Sequence, residues 1–247
     1  MRGLQRYRAS LISAGAMRLG AVNIDRWRRQ AALALVGLCW AQVPLAVGQA
    51  DQLLPEDHAV RQPDFFSFRA GLLRALARRD TVEVLKVVAP DIRNTFGDDN
   101  GSAAFRRLWR VEAPDSELWE ELTAVLALGG TFENESTFVA PYVFSRWPSS
   151  YDAFDYLAVI GSGVRIRAAP DSKATILGKV SLEVVRRGRA SSRSSTTAGA
   201  EAWEPVQLGQ GRVGYVARQF LRSPVDYRAY FVRRDGRWTM TTFIAGD

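Results

Sequence analysis

Few residues in this chain have the type and spacing that chemistry requires. There is one histidine, His58, and one cysteine, Cys39. A Ser-His-Asp or Cys-His device needs a histidine in the folded body, and His58 falls in a polar, proline-flanked stretch. No group of His and Cys has metal-ligand spacing, and no glycine-rich phosphate loop occurs. Asp98-Asp99-Asn100-Gly101 is the densest acidic run. It lacks the spaced ligands and distal Glu of a calcium loop, so it reads as a turn. Glu117, Glu120 and Glu121 surround Trp119 and read as the solvated first turn of a helix, where acids suit the dipole. Catalytic residues: none. Metal and cofactor: none. A hydrolase working through two carboxylates stays as an alternative and needs a cleft that holds both.

Binding has more to work with. Arg186, Arg187, Arg189 and Arg193 form one basic cluster, in a stretch to Ala202 that is rich in Arg, Ser, Thr and Ala. Arg165 and Arg167 alternate with Val164 and Ile166, which puts the arginines outward and the aliphatic pair inward. These six arginines are the candidate ligand-binding set. Trp109, Trp119, Trp147, Trp203 and Trp238 read as core, with carbohydrate stacking as the alternative.

The start of the chain sets a location. Residues 1–50 hold seven arginines against one acid, Asp25, and the run from Ala31 to Ala50 is uncharged and ends in small residues. Basic region, apolar run and small-residue exit are the parts of a secretory signal peptide, cleaved here near Ala50. Met17 is an alternative start, Arg28-Arg29 an alternative twin-arginine signal and Cys39 an alternative lipidation site. An uncleaved anchor is the remaining alternative, and the only route to a membrane. The expected destination is the periplasm or the exterior. The whole chain has 33 Lys+Arg and 26 Asp+Glu, a net +7. Without residues 1–50 the balance falls to about +1, which leaves no electrostatic footprint for nucleic acid.

The elements that must position these residues follow from periodicity. Residues 51–63 read as a flexible lead-in. Phe65, Phe68, Leu72 and Leu76 share a helical face, with Asp64 placed to cap it. Val82, Leu85 and Val88 give a second helix after Asp80. Two more helices follow Ser102 and Ser116, the last stopped at Gly129-Gly130. Residues 64–155 are therefore an α+β unit. Its opening, two helices and a strand from Phe65 to Phe96, resembles the start of NTF2-like cone folds. That likeness implies a hydrophobic pocket for a small ligand. Near the C-terminus, Asp235-Gly236 between two aromatic-rich alternating runs signals a hairpin. Residues 224–247 form it, and it needs a surface such as 64–155 to pack on.

The stretch between these parts carries the most specific pattern. Val164-Arg165-Ile166-Arg167-Ala168-Ala169-Pro170 precedes Gly211-Arg212-Val213-Gly214-Tyr215-Val216 by about forty residues. Residues 156–223 thus resemble the bacterial SH3-like (SH3b) module, a small β-barrel. The resemblance implies that Val164, Ile166, Trp203, Gly214, Tyr215 and Val216 are barrel constituents. The expected fold is α+β: a helical/β unit, then an SH3-like barrel, then a β-hairpin. The expected function is a non-enzymatic adaptor of the cell envelope whose partner is a cell-wall peptide or envelope protein. The alternative is a small-ligand binder with an NTF2-like pocket.

Overall fold

The computed structural model describes residues 51–189 and 202–246. The leader assigned to residues 1–50, with its cleavage site, lies outside the described residues, as does Arg193. Among the described residues no helix is long and apolar enough to cross a membrane.

The α-helices of the described residues are α1 (Pro63–Ala77), α2 (Thr81–Val87), α3 (Ser102–Leu108), α4 (Leu118–Ala127) and α5 (Tyr142–Ser145), with a strand, Val88–Arg93, between α2 and α3. Pro63 opens α1, where its missing N–H costs nothing. Asp64 does not cap it; its carboxylate accepts instead from Trp238 Nε1 at 3.1 Å and Arg233 Nη1 at 3.0 Å. Asp80 does cap α2, accepting from the Glu83 N–H at 3.1 Å.

The helices pack on a five-stranded sheet built from both ends of the chain. Its strands are β1 (Val88–Arg93), β2 (Thr131–Asn134), β3 (Thr137–Ala140), β11 (Arg228–Arg234) and β12 (Arg237–Ile244), in the order β1-β12-β11-β3-β2. Only the β1–β12 pair is parallel. The C-terminal hairpin therefore occupies the sheet interior. Asp235 and Gly236 turn it with φ of 50° and 75°, the two positive values that a type I′ turn requires. A bulge beside Thr241 changes which side chains of β12 face the helices. Trp238 and Met240 are buried before it and Phe243 after it. They share one buried cluster with Phe65, Leu72 and Leu76 of α1, Phe105 of α3 and Leu122 and Leu126 of α4.

Residues 51–63 are docked. Leu53 is buried, its N–H donates to Leu182 O at 2.7 Å, and Gln52 bridges Glu183. Arg69 of α1 grips Asp57 with two bonds of 2.8 and 2.7 Å.

Seven strands lie between β3 and β11: β4 (Tyr156–Val159), β5 (Val164–Arg167), β6 (Ile176–Val180), β7 (Val184–Arg186), β8 (Trp203–Gln207), β9 (Val213–Ala217) and β10 (Leu221–Arg222). They form two open sheets, β10-β4-β7 and β6-β5-β9-β8. Here the barrel expectation is corrected. A closed barrel has no edges, whereas each of these sheets ends in two. Inward alternation and a tight hairpin, which the two motifs encode, serve a pair of packed sheets equally well. Leu157, Val159, Val164, Ile166, Val180, Val206 and Val216 form the shared core. Gly214 is obligatory there: a Cβ on it would stand 2.4 Å from Ile166 Cγ2.

Candidate functional site

Strand β5 and the β8–β9 hairpin enclose an open groove of about 510 Å³. Four pieces of chain build it. Strand β5 supplies Arg165 and Arg167. The start of β8 supplies Trp203, which pairs with Ala217. A 3-10 turn, Arg218–Phe220, closes one end, and Ser162 and Ser172 complete the wall. Backbone bonds fix this frame. Arg218 N–H donates to Ala202 O at 2.7 Å, and Ile160 N–H to Phe220 O at 2.9 Å.

Arg165 is exposed and stands opposite Lys179 in the β5–β6 ladder, which places two cations side by side on one face. Arg167 is not outward as expected. A bulge follows Ile166, and the Arg167 side chain folds down to donate to Ala174 O at 2.7 Å, leaving it 9% exposed. It lines the floor of the groove. Arg218 is exposed. Among the described residues none of these three arginines has an ion-pair partner, and no carboxylate lines the groove.

Trp203 is a second correction. Val206 is fully buried between the sheets, and Trp203, three positions earlier, faces the other way. It is half-buried in the groove wall rather than in the core. Tyr215, paired with Pro205 on the same outer face, is also half-buried. Val164, Ile166, Gly214 and Val216 are buried. Phe220, which the sequence reading leaves out of any site, is 39% exposed on the groove rim. Its signal is positional: an aromatic residue that follows the polar pair Arg218-Gln219 in the short turn after β9.

The five candidate arginines among the described residues do not form one surface. Arg165 and Arg167 lie in the groove, whereas Arg186, Arg187 and Arg189 line a second depression. The acidic candidates are structural. Asn100 Oδ1 accepts from the backbone of Asn94 and Thr95, which staples the Asp98–Gly101 turn. Glu121 accepts from Arg222 at 2.8 Å. His58 contacts Glu56, which also binds Arg146 at 2.7 Å. The His58 contact, then Arg146, hold the Glu56 carboxyl below its ordinary range. Among the described residues no group of three or more His, Cys, Asp or Glu is placed to hold a metal.

No family model matches this sequence, and no characterised protein matches it significantly. Solved structures do. An NTF2-like protein of unknown function from Shewanella oneidensis MR-1 shares 10% identity, covering 74% of this chain and 97% of its own, with a TM-score of 0.29. An NTF2-like protein of unknown function from Pseudomonas putida KT2440 also shares 10% identity, over 76% of this chain and 87% of its own, with a TM-score of 0.24. These structures are NTF2-like, not SH3-like, and the strands of residues 156–222 leave two sheets open. The open sheets overturn the SH3b resemblance, and the envelope-adaptor function drawn from it falls too. At such TM-scores the likenesses carry no residue role to this chain.

Proposed function

We propose that this protein binds a small ligand, without turning it over, in the groove of Trp203 and Phe220. The ligand combines an acidic group with a flat apolar part. One observation carries this reading: two partly exposed aromatic side chains share a groove with Arg165, Arg167 and Arg218, and among the described residues no carboxylate lines it. Aromatic rings in a groove wall offer a flat face for stacking, and guanidinium forks match a carboxylate in geometry and charge. Among the described residues the groove lining has two serines as its hydroxyl side chains and no histidine to activate them, which supports binding over catalysis.

The test is a titration with aromatic and aliphatic mono- and dicarboxylates, followed by Trp fluorescence and calorimetry. Aromatic acids bind best, and Trp203→Ala and Arg165→Ser each weaken them at least about tenfold. Saturable binding unaffected by both variants, or no binding by any member of the panel, overturns the reading.

The pattern of residues 1–50 supports export ahead of this activity. N-terminal sequencing of the mature protein is expected to begin near Asp51, and an intact N-terminus in the cytoplasm overturns that placement.

A further inference from the structure

The groove lies at one end of the β8–β9 hairpin. Trp203 pairs with Ala217 there, while Gln207 pairs with Val213 four residues away. At about 3.3 Å per residue the two ends are roughly 13 Å apart. The far end holds a separate depression of about 510 Å³, in which Gln207, Gly211 and Val213 meet Asp155 and the run Arg186 to Arg189.

Its guanidiniums are poorly satisfied. Arg186 is exposed, with Nη2 a long 3.5 Å from Asp155 Oδ2. Arg187 spends Nη1 on Glu204 at 2.8 Å, while its buried Nε has no hydrogen-bond partner. Arg189 is exposed and has no ion-pair partner among the described residues. Three arginines therefore face two carboxylates, one of them loosely held. Among the described residues the rest of the lining is neutral.

We infer that this depression is a second, independent site for an oxyanion of the phosphate or sulfate type. The anion comes either free in solution or as the headgroup of a larger ester. A tetrahedral anion offers enough oxygens for several guanidiniums at once, which a single carboxylate does not. Asp155 is then a competitor: its carboxylate occupies Arg186 and repels the ligand. That gives the site a signature no structural role would have, namely that removing a charged side chain improves binding.

The experiment titrates the whole protein with inorganic phosphate, inorganic sulfate and phenyl phosphate at low salt, followed by calorimetry and by amide shifts of residues 186–189. Saturable binding is expected. Asp155→Asn tightens it several-fold, and Arg186→Ser combined with Arg189→Ser weakens it about tenfold or more. Arg187 is left in place because Glu204 would lose its partner. Trp203→Ala leaves phosphate binding unchanged, so this site and the aromatic groove fail or hold separately. Measured in Trp203→Ala, so that the aromatic groove does not capture the phenyl ring, tighter binding of phenyl phosphate than of inorganic phosphate assigns the site to an ester, and the reverse assigns it to the free anion. The proposal is overturned by non-saturable binding of all three probes, or by Asp155→Asn that weakens binding or leaves it unchanged.

Discussion

Trp238 Nε1 donates to the Asp64 carboxylate across 3.1 Å, which ties the C-terminal hairpin to the first turn of α1. This bond is the main reason that the Asp64 carboxyl sits below its ordinary range, with the Phe65 N–H and Arg233 adding to it. A carboxyl depressed in the folded state is ionised and bonded there while the unfolded chain already takes up protons. Its contribution is therefore complete above the unfolded value, about 3.9, and is lost as pH falls through the lower folded value. Melting temperature is expected to decline on acidification. In Asp64→Asn, stability at neutral pH drops and that acid-range decline becomes shallower. Parallel melting curves for the two proteins from pH 7 to pH 2.5 would show that the bond contributes nothing.

Gly130 is fixed by crowding, not by dihedral freedom. A Cβ there would stand 2.2 Å from Val139 O and 3.0 Å from Ala140 Cα. Both are backbone atoms of β3 and cannot swing aside. Its own carbonyl also accepts the His58 N–H at 2.8 Å. Gly130→Ala is expected to cost about 3 kcal/mol or more, the upper end of overpacking effects, by prising β2 from β3. Denaturant unfolding measures it, and a change under about 0.5 kcal/mol, as at an ordinary surface position, would be inconsistent with this packing.

The hairpin supplies the two strands between β1 and β3. A fragment ending at residue 150 leaves β1 without the partner it has in β12, and uncovers Phe65, Phe105 and Phe138, which Phe231, Trp238, Met240 and Phe243 help to bury. Such a fragment is expected to show no cooperative thermal transition. Adding a peptide of residues 224–247 restores one if the sheet order is right.

The parts of this structure legible in the sequence are local. The α+β class, the Asp80 cap and the Asp235-Gly236 turn each depend on a few adjacent residues, as does the inward set Val164, Ile166 and Val216. What the sequence hides is long-range. Glu121 looks solvated until Arg222, a hundred and one residues on, arrives beside it. Arg167 looks outward until a bulge and the Ala174 carbonyl draw it in. The barrel expectation failed for a related reason: alternation fixes which face of a strand is buried but not whether its sheet closes. Trp203 was readable. Val206 and Leu208 set the buried parity of β8, and an odd-numbered neighbour belongs to the other face.

That parity gives the last prediction. A fully buried aromatic residue replaced by alanine costs about 3–5 kcal/mol. Trp203 is half-buried in a groove wall and packs against no closed core, so Trp203→Ala is expected to cost only about 1 kcal/mol. Val206→Ala, one strand residue that is fully buried, should cost more despite the smaller side chain, because it opens a void between the sheets. The comparison is internal to one strand and needs no ligand. If Trp203→Ala proves the more damaging of the two in urea unfolding, then its ring belongs to the core. The groove would then have lost its stacking face, and the acidic ligand proposed for it would have only arginines to hold it.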